Sequence, residues 1–186
     1  MNTIYFVRHA KPDFKIHDDL IRPLTEEGIA SVERITAYFK DKNITRVYSS
    51  PYKRAVDTVS NISMFHNLRL ELIEDFRERK ITDSWIEDFE SFSKQQWEDF
   101  DYKLLNGESL NEVKHRNIAA LHRILNDCED EVIVIGTHGT ALSTVLNFYD
   151  ETYGYDAFNQ MKNKMPYIIC ATFDQTNLIS YSEKDH

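Results

Sequence analysis

Two histidines stand directly after strand-like runs. His9 follows Thr3 to Val7 and Arg8, and His138 follows Val132 to Ile135, Gly136 and Thr137. A neutral imidazole offers a lone pair near pH 7 and can act as a nucleophile or share a proton. Taken singly, each reads as a hydrogen-bonded structural histidine. Taken together, at two strand ends beside Arg8 and Gly139, they point to a site. Arg54 falls in the first turn of a helix expected to open at Ser50-Pro51, where free N–H groups and the helix dipole favour an anion. A solvated helix arginine is the plain alternative. Arg8 and Arg54 beside the two histidines would form a compact cationic pocket suited to a phosphoryl group, because guanidinium donates in a planar fork and keeps its charge. In Phe76-Arg77-Glu78-Arg79-Lys80 a carboxylate is flanked by three cations. By itself this run fits an ion-paired surface turn equally well. Neither His9 nor His138 has a His or Cys partner at metal-ligand spacing, and their arginine neighbours would repel a cation, so no metal is expected.

The chain that must position these residues has 186 residues, 22 Lys+Arg against 31 Asp+Glu, and a net charge of −9. Length favours one domain spanning 1–186. A negative field argues against nucleic-acid and anionic-lipid partners, so any anionic substrate must meet locally clustered arginine or lysine. Cys128 and Cys170 are too few for a disulfide framework, and no run approaches a membrane span, which together predict a reduced, cytoplasmic setting.

Strand-like runs at 3–7, 46–49, 70–73 and 132–135 alternate with helical patterns. Thr25 is placed to cap a helix carrying Ile29, Val32, Ile35 and Phe39 on one face, and Ser109 with Glu112 forms a capping box ahead of Val113, Leu121, Ile124 and Leu125. Ala141 to Phe148 reads as another helix, and Tyr167 to Phe173 and Leu178 to Tyr181 as further strands. The alternation predicts an α/β three-layer sandwich with a mainly parallel central sheet, and ligands beyond the carboxyl ends of its strands. Residues 81–105 break the alternation. Trp85, Phe89, Phe92, Trp97, Phe100 and Leu104 recur at helical spacing, which predicts a small inserted helical cap or, alternatively, a pair of core helices.

Arg8-His9-Ala10, Arg22-Pro23-Leu24-Thr25-x-x-Gly28, Ser49-Ser50-Pro51-x-x-Arg54-Ala55-x-x-Thr58, Gly107-Glu108-Ser109 and Thr137-His138-Gly139 occur in this order. On these motifs the chain resembles the histidine phosphatase superfamily, also called phosphoglycerate mutase-like, from about residue 3 to residue 150. The resemblance implies that His9 is the phosphorylated nucleophile, that Arg8, Arg54 and His138 bind the phosphate, and that Glu78 donates the proton. It implies no cofactor and a small phosphorylated metabolite as partner. Beside the matched positions, Lys11, Lys15, Arg22, Arg77, Thr137 and Gly139 are candidate substrate contacts. The chain departs from the family at Ala10-Lys11-Pro12-Asp13 and at Lys15, where family members often carry an Asn. A metal-independent phosphatase acting on a phosphomonoester is the reading this supports. A phosphohistidine protein phosphatase, a mutase and a non-catalytic binding module are the alternatives, the last disfavoured by retention of both nucleophile and proton donor. The sequence leaves substrate and oligomeric state open.

Overall fold

The computed structural model describes residues 1–185; His186, the last residue of the expected domain, lies outside them. β1 (Asn2–Arg8) is followed by α1 (Glu26–Phe39), β2 (Arg46–Ser49), α2 (Lys53–Phe65), β3 (Leu70–Leu72), a 3-10 turn at Glu74–Phe76 and α3 (Phe89–Glu98). Then come α4 (Leu110–Asn126), β4 (Val132–Thr137), α5 (Gly139–Tyr149), α6 (Tyr155–Met161), β5 (Tyr167–Asp174) and β6 (Asn177–Lys184). The strands form one sheet in the order β3-β2-β4-β1-β5-β6. Its β3-β2-β4-β1 portion is parallel, while β5 runs antiparallel to β1 and β6 antiparallel to β5.

Three layers follow from strict side-chain alternation along the central strands. Ile4 and Phe6 of β1, Ile133 and Ile135 of β4, and Ile169, Ala171 and Phe173 of β5 join α4, α5 and α6 in one core. Val7, Val47, Val134 and Ile168 face the other way and pack with Ile35, Phe39, Val59 and Ile62 of α1 and α2. The chain therefore leaves β1 toward one face and β4 toward the other. Such a divergence between neighbouring parallel strands opens a crevice at their carboxyl ends.

Several boundaries differ from expectation for local reasons. Ile29 is 58% exposed, because Gly28, Ser31, Val32, Ile35 and Phe39 occupy the inward face of α1. The second helix starts at Lys53, not at Ser50-Pro51: the Ser50 hydroxyl is engaged by the Tyr52 N–H and by His138 instead. In 81–105 only Phe89–Glu98 is helical. Thr82 donates to the Leu105 carbonyl and Asp83 is held by Lys80 and Asn106, side-chain bonds that compete with a helix. Phe92 and Trp97 are buried, Trp97 against Phe100 and Phe158, whereas Trp85 is half exposed. The aromatic stripe thus splits into a core-facing part and a part facing a cavity. Cys170 lies in β5 but is only partly buried.

Candidate active site

Parallel pairing of β1 with β4 sets Arg8 opposite Thr137, so His9 and His138 emerge side by side. Their rings meet edge to face with centroids 5.2 Å apart, and the His9 N–H donates to the Thr137 carbonyl. The next backbone N–H, that of Ala10, donates to the Thr58 hydroxyl at 3.0 Å, which ties the end of β1 to α2. His9 Nδ1 lies 2.8 Å from the Ala10 carbonyl. A carbonyl only accepts, so the proton is assigned to Nδ1 and the lone pair to Nε2. Arg54 Nε donates to that Nε2 at 3.3 Å. Burial, then the charges of Arg54 and Arg8, push the His9 imidazole well below its ordinary range. His138 is shifted the same way by burial, Arg54 and His9. Its Nε2 is 2.7 Å from the Ser50 hydroxyl, and its buried Nδ1 has no partner.

Both arginines are buried and tethered. Arg8 Nη1 donates to the carbonyls of Met161, Lys162 and Lys164 at 2.8–2.9 Å, so the end of α6 orients it, and burial lowers its pKa to about 10. Gly139 lets α5 begin against this guanidinium, since a Cβ there would lie 3.2 Å from Arg8 Nε. Arg54 donates to the Asp19 carbonyl at 2.7 Å and pairs with the Asp19 carboxylate at 3.1 Å. The same carboxylate takes Arg22 Nη1 at 2.9 Å.

Glu78 reaches the start of α5. Its Oε2 accepts from the Thr140 N–H at 3.0 Å, and its Oε1 from the N–H groups of Ala141 and Arg79 at 3.1 and 2.8 Å. Three bonds leave acceptor capacity on Oε2, the oxygen with one partner. Glu108, by contrast, is enclosed by Arg77, Arg116 and the Lys80 N–H. Burial works against its charge, but Arg116 and these neighbours hold it below the ordinary carboxylate range.

These groups line a cavity of about 970 Å³ walled by Phe14, His17, Asp18, Asp19, Leu20, Arg22, Tyr52, Arg79, the 80–86 segment, Phe89, Phe158, Lys162, Asn163 and Met165. Of the sequence candidates, Arg8, His9, Arg22, Arg54, Glu78 and Gly139 line it, and His138 is in edge-to-face contact with His9 without itself being part of the wall. Lys11, Lys15, Arg77 and Thr137 do not. Lys11 is exposed and paired with Glu27, Lys15 is exposed, Arg77 binds Glu108, and Thr137 is covered in β4. Sequence reasoning missed Asp19, Tyr52 and Arg79. Asp19 lies three residues before Arg22 at helical-turn distance, a pairing that could have been suspected; Arg79 stands in the charged run around Glu78 but was not separated from its neighbours there, and nothing local marked Tyr52. Among the described residues, no group of three or more His, Cys, Asp or Glu is arranged to hold a metal ion.

The model of the histidine phosphatase superfamily, branch 1, matches residues 4–177. The chain belongs to this superfamily. It is accordingly an enzyme of the phosphatase class. An uncharacterized phosphatase, PhoE, of Bacillus subtilis (strain 168) is 26% identical over 152 residues, covering 78% of this chain and 76% of that protein. Phosphoglycerate mutase-like protein 4 of Arabidopsis thaliana is 30% identical over 158 residues, covering 76% and 68%. Phosphoserine phosphatase of Entamoeba histolytica, an H9A mutant in complex with phosphoserine, superposes with a TM-score of 0.76 at 20% identity over 97% of this chain and 96% of that one, which shows the shared fold.

Proposed function

We propose that this histidine phosphatase hydrolyses a small phosphomonoester in two steps through a phosphohistidine at His9. The observation that carries the reading is the geometry of His9: Nδ1 lies 2.8 Å from the Ala10 carbonyl and Nε2 3.3 Å from Arg54 Nε, which assigns the lone pair to Nε2 at the strand-end crevice. In the first step Nε2 attacks phosphorus, the bond to the ester oxygen breaks, and Glu78 in its acid form gives its proton to the departing alkoxide. In the second, the Glu78 carboxylate takes a proton from water, the hydroxide attacks phosphorus, and the P–N bond breaks to release phosphate and His9. Arg8, Arg54 and the unpartnered Nδ1 of His138 would hold the equatorial oxygens, the electrostatic role on which phosphoryl transfer mainly depends.

This chemistry asks nothing of a metal. Segment 81–105, with Phe89 on the cavity wall, would cap the leaving-group side. The Entamoeba relative binds phosphoserine, which agrees with a small phosphorylated metabolite as substrate. Rapid acid quench with labelled p-nitrophenyl phosphate should trap an alkali-stable, acid-labile phosphoenzyme in wild type and none in His9→Ala. Full turnover in folded His9→Ala would overturn the mechanism.

A further inference from the structure

Arg79 is 3% exposed, yet it lines the cavity. Its Nη1 donates to Gln96 Oε1 at 2.7 Å, and its Nε has no partner. The guanidinium lies over the rings of Phe89 and Phe92, 5.1–5.5 Å from their centroids. Among the described residues no carboxylate forms an ion pair with the Arg79 guanidinium: Asp19 binds Arg22 and Arg54, Glu108 binds Arg77 and Arg116, and Glu78 accepts from three backbone N–H groups, that of Arg79 among them. Burial lowers the Arg79 pKa to about 10, although the charges of Glu78, Asp19 and Glu108 act to raise it. A buried cation with no carboxylate in direct contact is costly, and apolar replacement of buried charges is often neutral or stabilising. Retaining one on a cavity wall is understandable if an anion completes it.

We propose that Arg79 is the second anion subsite of the cavity and takes a carboxylate carried by the leaving group. The proposal rests on the phosphatase reading, because the first anion is the phosphoryl group at His9. Phe14, Trp85, Ile86, Phe89, Phe158 and Met165 supply the apolar part of the cavity wall, with Phe89 beside the Arg79 guanidinium. A cavity of about 970 Å³ is at the upper end of the range for small-molecule sites, far more than a three-carbon acid fills. The substrate class proposed on this basis is a phosphomonoester whose leaving group carries an apolar body, taken by the apolar part of the wall, and a carboxylate, taken by Arg79. Gln96, fully buried on α3, accepts from Arg79 and donates to the carbonyls of Tyr102 and Glu108, so it positions the guanidinium without neutralising it.

The test compares kcat/KM for phosphate monoesters of ω-hydroxy acids of three, six and eight carbons with those of the matching alkanols. Wild type should favour the longer acids over their neutral partners by roughly 10- to 100-fold, the worth of a hydrogen bond to a charged group. In Arg79→Met that ratio should fall toward one, while the melting temperature stays level or rises. Equal rates on acids and alkanols, an optimum at three carbons, or loss of stability with the ratio intact would overturn the subsite and leave the phosphatase standing. Failure on every ester with no phosphoenzyme at His9 would overturn both.

Discussion

At the scale of single residues, Glu78 and the two histidines carry testable charge chemistry. An alkyl phosphate expels a poor leaving group, whereas p-nitrophenolate leaves unaided, and a general acid is typically worth about 10²–10⁴-fold. Glu78→Gln should therefore slow alkyl phosphate hydrolysis by that order and p-nitrophenyl phosphate far less, measured where chemistry limits the rate. Equal losses would make Glu78 structural. Glu108 is no ready substitute, since its carboxylate faces Arg77 and Arg116 away from the cavity wall. His9 and His138 are neutral at pH 7 in the folded chain, and burial depresses both. The unfolded chain binds their protons near pH 6.5, so stability is complete above that value and falls as pH drops below it, by up to about 1.4 kcal/mol per pH unit per histidine. Urea midpoints at pH 7 and 5.5 should show a steeper acid loss in wild type than in His9→Asn/His138→Asn.

At the scale of elements, what could be read in the sequence was what local chemistry decides. The capping box at α4 is present in full: Ser109 Oγ accepts from the Glu112 N–H and Glu112 Oε2 from the Ser109 N–H. Ser109→Ala should cost about 0.5–2 kcal/mol in chemical denaturation. The strand ends carrying His9 and His138 were legible because a continuous apolar run stops at a polar pair. What was not legible depended on distant partners. The antiparallel direction of β5 leaves no trace in composition. α6, at seven residues, is too short for a periodic signal, yet its carbonyls orient Arg8. Residues 81–88 have helical spacing but spend their polar side chains on 105 and 106. Gly107 is informative only afterward: a Cβ there would strike the Ile81 carbonyl, so the glycine lets the two ends of the inserted segment close.

For the whole molecule, the contrast is between a net charge of −9 and a cavity where Arg8, Arg22, Arg54 and Arg79 converge. The net charge opposes long-range attraction of an anion, so the local field of the crevice arginines must supply what holds one there. In the proposed mechanism Arg8, Arg54 and Glu78 supply the charge stabilisation and the proton, so turnover should survive prolonged dialysis against EDTA. Loss on chelation with recovery on adding a divalent ion would transfer the chemistry to a metal.

Arg8 joins strand β1 to the carbonyls of residues 161, 162 and 164, a span of more than 150 residues along the chain. Local opening of α6 must release that guanidinium. An anion that binds only while Arg8 is held therefore raises the cost of opening by RT ln(1 + [L]/Kd). Amide hydrogen exchange should register this at a distance from the histidines: saturating inorganic phosphate should slow exchange at 158–164 in wild type, and should not do so in Arg8→Lys, whose single ammonium cannot bridge three carbonyls and an anion together.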